Sequence, residues 1–139
     1  MKKFRFRLQR LLEYRAMAER WAKDAFLQTR ADRLAAEAER SRLTAKQAEL
    51  LRRDWRTLDQ RKALEAAIAK LDDLRAQQSA AIAILAQDEE ARREDWMAAR
   101  RELEAMRKLR ELALERWETE AGRKEQAELD EWALLRSAA

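Results

Sequence analysis

The sequence predicts an all-α chain, two long helices forming an antiparallel coiled-coil hairpin, and three observations carry that expectation. Charged residues are 42% of the 139 residues, and the 47% hydrophobic share is mostly Ala and Leu. Val is absent, and three Ile and four Thr are the whole β-branched complement; sheets favour such side chains, so an all-β or α/β domain is excluded. Pro is absent and Gly occurs once, at Gly122, and without turn residues a chain cannot be divided into many short elements.

The second helix is the better marked. Positions alternately three and four apart run Leu64, Ile68, Leu71, Arg75, Gln78, Ile82, Leu85, Glu89, Arg92, Trp96, Ala99, Leu103 and Met106. Nine of these thirteen are apolar, the heptad pattern that holds one seam of a helix against a partner. Arg75, Gln78, Glu89 and Arg92 interrupt the seam and moderate its strength. The first helix shows a smaller-residue stripe at Leu27, Ala31, Leu34, Ala38, Ser41, Ala45 and Ala48. Its phase breaks near Phe26 and again where Leu51, Trp55 and Leu58 take over. Of Trp21, Trp55, Trp96 and Trp117, unusual residues for a coiled coil, most are expected as core fillers or seam edges.

Charge selects the hairpin over a parallel dimer. Residues 1–56 carry 16 basic and 8 acidic groups, and residues 57–139 carry 15 basic and 19 acidic groups. Halves of net +8 and −4 attract, whereas parallel pairing sets like against like. The expected organisation is one coiled-coil domain over residues 1–139, with helix one at about 4–55, a turn within 55–62 and helix two at about 60–136. Thr57-Leu58-Asp59-Gln60 has the form of a capping box, in which side chains satisfy the unpaired amides of a helix start. Thr44-Ala45-Lys46-Gln47 has the same form.

Composition also removes most chemistry. With no Cys and no His, thiol catalysis, zinc fingers, disulfides and imidazole acid–base work are out of reach. One Gly cannot build a phosphate-cradling loop. No apolar run is long enough to span a bilayer, and the opening MKKFRFRLQRLLEYR lacks a signal-peptide core. The expectation is a cytoplasmic protein that is not an enzyme and uses no metal or cofactor.

The two ends carry a resemblance. Phe4-Arg5-Phe6-Arg7-Leu8-Gln9-Arg10-Leu11-Leu12 resembles the F-x-F-x-L-x-x-[LV]-L start of the flagellar FliJ family. Arg123-Lys124-Glu125-Gln126-Ala127-Glu128-Leu129-Asp130-Glu131-Trp132-Ala133 is similar to that family's R-x-E-Q-K-x-[LM]-D-E-[FW]-A ending, with Ala127 where Lys is often found. Leu64-Glu65-Ala66-Ala67-Ile68 resembles its L-[ED]-x-A-I segment, while residues 57–60 lack the Gly often present in its loop.

The resemblance implies a component of the flagellar type III export apparatus. Its fold would be a coiled-coil hairpin similar to the central stalk of rotary ATPases. It implies binding to the ring of the export ATPase FliI and to the cytoplasmic domain of the export gate FlhA, with contacts to export chaperones and FliH. The location would be cytoplasmic, peripheral at the inner face of the cell membrane. Carried onto this sequence, the ATPase-binding candidates are Phe4, Phe6, Arg7, Leu8, Arg10, Asp130, Glu131 and Trp132. The export-gate candidates are Leu64, Ile68 and Leu71.

Each candidate has a structural alternative. Phe4 and Phe6 could cap the hairpin against Trp132 or Leu134, and Arg5, Arg7, Arg10 and Arg15 could pair with the acidic C-terminal segment. Leu64, Ile68 and Leu71 could be ordinary seam residues. Rival functions are a virulence injectisome stalk, whose fold would be the same, and a basic coiled coil on a membrane or nucleic acid. In the membrane reading, Phe4, Phe6, Leu8 and Leu12 would insert. A net charge of only +4, with acids nearly matching bases, speaks against nucleic acid.

Overall fold

A computed structural model describes residues 2–138. Two long helices, α1 (Gln9–Leu51) and α2 (Leu58–Ser137), pack against each other as an antiparallel helical hairpin, with no strand among the described residues. The break between them occupies residues 52–57, overlapping the expected 55–62 window only in its last three positions. α1 closes with tight bonds from the Arg52 amide to the Glu49 carbonyl and from the Arg53 amide to the Leu50 carbonyl, each 3.2 Å. Such i→i+3 bonds narrow a last helical turn and end it. Thr57 then caps α2: its hydroxyl accepts from the Gln60 amide at 3.2 Å, and the Gln60 side chain accepts from the Arg56 amide at 2.9 Å. This is the capping-box exchange, with its return bond shifted one residue towards the N-terminus. The second box pattern, at Thr44, lies inside α1, where the hydroxyl donates back to the Arg40 carbonyl.

Contacts divide the chain into two compact units, Trp21–Met97 and Met1–Arg20 with Ala98–Ala139. In the first, antiparallel pairing follows from which residues meet. Phe26 stacks on Trp96 with ring centroids 5.5 Å apart at 24°, Arg33 reaches Glu89, and Gln47 reaches Asp72 and Arg75. As the α1 position rises, the α2 position falls.

Thirteen seam positions were expected on α2, and only Arg92 among them is exposed. α1 differs. Leu27, Ala31, Leu34, Ala38, Ser41, Ala45 and Ala48 are all exposed, while Phe26, Leu43 and Gln47 are its buried residues. The real seam runs through Ala22, Phe26, Thr29, Arg33, Ala36, Arg40, Leu43, Gln47 and Leu50, all buried or half-buried. It keeps the spacing of three and four. Arg33 and Gln47 made that line look polar in sequence, and they face the polar positions Glu89 and Arg75 of α2. The interruptions of the two seams answer one another.

The second unit joins the start of α1 to the later part of α2. Arg15 pairs with Glu102 at 2.5 Å, and Leu103 and Met106 are buried there. Helix one does not begin near residue 4: residues 2–6 have no regular structure, a turn follows at Arg7 and Leu8, and α1 starts at Gln9. A helix would send Phe4 and Phe6 to different faces. Outside a helix that constraint is lifted, and both rings are half-buried here.

Candidate interaction surfaces

Three groups of side chains can meet a partner, and each is built by a different local feature. Within the unit of Met1–Arg20 and Ala98–Ala139, the N-terminal segment ahead of α1 lies against α2. The Phe4 ring meets Trp117 with centroids 6.0 Å apart at 60°, and the Arg110 guanidinium lies 5.6 Å from the Phe4 centroid. An open groove of about 570 Å³ is lined by Phe4, Phe6, Leu8, Leu109, Ala113 and Trp117. Phe4 therefore packs on Trp117, and not on Trp132 or Leu134. Arg7, Leu8 and Arg10 are exposed beside it. Arg15 pairs with Glu102, whereas Arg5, Arg7 and Arg10 make no ion pair among the described residues.

In the same unit, α2 continues after the N-terminal segment has run out. Ala121 is half-buried, and every position of residues 122–138 is exposed. Leu129 is 61% exposed, Trp132 60%, Leu134 69% and Leu135 66%. Asp130 accepts a hydrogen bond from Gln126 at 3.0 Å, Glu131 is exposed, and the Arg136 guanidinium lies 4.8 Å from the Trp132 ring centroid. A helix survives bare because Ala, Glu, Gln, Lys, Leu and Arg, strong helix formers, fill it. Its apolar side chains are not satisfied by anything described. Of the expected ATPase-binding residues, the structure gathers Phe4, Phe6, Arg7 and Leu8 at the groove and Asp130, Glu131 and Trp132 on the bare helix. Leu129 and Leu135 were not singled out from sequence, and Leu134 only as a capping partner for Phe4 and Phe6. The signal was present, since four large apolar residues fall within seven positions of an otherwise charged segment.

The third group lies in the unit Trp21–Met97. Leu71 is buried at 6% exposure, and Leu64 and Ile68 are half-buried facing α1. The Gln47 side chain donates to the Ile68 carbonyl at 3.5 Å and to Asp72 Oδ1 at 2.6 Å, and accepts from Arg75 Nη1 at 2.5 Å. These three candidates thus belong to the seam, with only the flanks of Leu64 and Ile68 open. What is exposed nearby is the break itself, with Leu51, Trp55 and Leu58 at 66%, 49% and 61% and Arg61 over the Trp55 ring at 5.2 Å. Trp21 and Trp55 are surface residues, not seam fillers; Trp96 and Trp117 pack as expected.

Electrostatics concentrates at Arg33. Its guanidinium donates to both Glu89 carboxylate oxygens and to Glu37 Oε1 at 2.9 Å. The hydrogen bond from Arg33 holds the Glu89 carboxyl below its ordinary value of 4.5, with partial burial opposing it. Glu89 in turn is the largest cause stabilising charged Arg33, followed by Glu37. Such a pair fixes register and does no chemistry. Among the described residues no cluster of His, Cys, Asp and Glu could hold a metal ion, and no helix is long and apolar enough to cross a membrane.

Comparison with known proteins decides the family. The family described as flagellar FliJ protein matches residues 4–139, essentially the whole chain. The chain belongs to the FliJ family. No curated protein and no solved structure matches it. FliJ membership makes this chain a component of flagellar type III protein export. For a FliJ chain the two exposed elements, the N-terminal groove and the bare end of α2, fall where the family's end motifs were recognised.

Proposed function

We propose that this FliJ-family chain is the coiled-coil stalk of a flagellar export apparatus. It works by binding and positioning, and has no catalytic group of its own. On this reading the export ATPase FliI is engaged through Arg7, Leu8 and Arg10 beside the groove and through Asp130, Glu131 and Trp132 on the bare helix. Phe4 and Phe6 hold the N-terminal segment in place. The carrying observation is the exposure of Leu129, Trp132, Leu134 and Leu135 on residues 122–138. A helix that leaves four large apolar side chains in water gains by inserting them into a partner, and aromatic anchors carry much of such binding energy.

The export gate FlhA would meet the mid-chain segment through the open flanks of Leu64 and Ile68, above Leu71 as the packed floor. Export chaperones and FliH are the remaining partners of this reading, and its location is the cytoplasmic side of the cell membrane. The test is the activity and ring assembly of the cognate FliI with and without the purified chain. Stimulation that saturates at roughly one copy per ring supports the stalk. Unchanged activity and no co-elution, with a well-folded chain, would remove it.

A further inference from the structure

The bare end of α2 has a pattern that pairs with itself. Glu125, Leu129, Trp132 and Arg136 follow one another at spacings of four, three and four, which places them on one helix face. Glu125, Leu129 and Trp132 line a shallow surface depression there, together with Glu128. Reading the stripe backwards gives its chemical complement: a base for the acid, a large apolar group for a large apolar group. Two such helices laid antiparallel set Glu125 opposite Arg136 and Leu129 opposite Trp132, and each pair then occurs twice about the two-fold axis. Parallel alignment would instead set Glu125 against Glu125 and Arg136 against Arg136.

We propose that the exposed end of α2 is a homotypic contact, in which residues 124–137 of two copies of this chain pair antiparallel through that stripe. Arg136, now folded over its own Trp132 ring, then reaches Glu125 of the second copy. The Trp132 face it uncovers closes on Leu129. Nothing among the described residues covers these positions first, because each position of residues 122–138 is exposed. The N-terminal groove is not an equal candidate for this occupant, since Phe4 is already seated on Trp117.

Size sets the strength. Fourteen residues a side is well short of the about 20–30 of a stable standard interface, so the contact is weak and reversible, with Kd in the micromolar range or above. It covers Trp132, the same side chain proposed to meet the export ATPase, so self-pairing and ATPase binding exclude each other. The contact itself does not depend on that reading, and it is tested on this protein alone.

Sedimentation equilibrium of the full chain over a wide concentration range is the experiment. The wild type is expected to pass reversibly from monomer to dimer, and Trp132→Ala to remain monomeric at the highest concentration. Glu125→Arg and Arg136→Glu should each weaken dimerisation by about tenfold or more, since each sets two like-charge pairs in the contact. The double variant Glu125→Arg with Arg136→Glu should recover wild-type association, because the ion pairs are rebuilt with reversed polarity. All four positions are exposed, so helicity by circular dichroism should stay at the wild-type level. A wild type that is monomeric throughout, or dimers untouched by Trp132→Ala, would overturn the proposal. Failure of the charge-swapped double to recover would overturn the antiparallel register, and with it the contact as proposed.

Discussion

At the residue scale, the phase of α1 is the sharpest claim. Leu43 is 4% exposed and Leu34 is 49% exposed, although a stripe read from the sequence runs through Leu34. Leu43→Ala should cost about 2–5 kcal/mol, the range for a buried Leu truncation. Leu34→Ala should stay within about 0.5 kcal/mol; thermal or urea melts of the two variants decide. The ion pair beneath adds a pH signature. Glu89 titrates below its ordinary 4.5 in the folded chain, so its stabilisation is complete above that value and is lost as pH falls through the lower, folded one. Glu89→Gln should therefore lower the melting temperature near neutral pH. The gap to wild type should close in acid below 4.5. These features were half legible. Arg75 and Glu89 were visible as interruptions of the α2 seam, but their answers Gln47 and Arg33 were not, because polar residues pair across a seam only once both phases are known.

At the element scale, the α2 seam could be read from spacing because large apolar residues repeat along it for six heptads. The α1 seam could not, because its Ala residues are spread over every face and Arg33, Arg40 and Gln47 occupy inward positions. Phe4 and Phe6 were opaque for another reason: a spacing of two excludes a shared face only if the segment is helical, and it is not. Two changes test the helix ends. Thr57→Ala removes the cap that accepts from the Gln60 amide and should cost about 1 kcal/mol. Gly122 lies where α2 loses its covering, its φ is not positive, and an added Cβ would meet nothing within 4 Å. Gly122→Ala should then raise the helical content of the bare end, read from circular dichroism, because Ala favours the helix over Gly by about 1 kcal/mol locally.

For the molecule as a whole, the two-helix class was legible from composition alone, and charge asymmetry between halves favoured antiparallel pairing. The interaction surfaces were legible only through the family's end motifs. Periodicity finds what is buried, whereas a docking surface is the apolar residue left outside, and in a sequence Trp132 looks no different from Trp96. The account's central claim is that the uncovered end of α2 is an interface. Its most direct measurement is binding of the cognate export ATPase to the full chain and to a chain ending at Ala121. Removal of residues 122–139 is predicted to leave the melting transition nearly unchanged, since each position of residues 122–138 is exposed, and to weaken ATPase binding by about tenfold or more, only the contacts of Arg7, Leu8 and Arg10 remaining. Undiminished binding by the shortened, folded chain would contradict it.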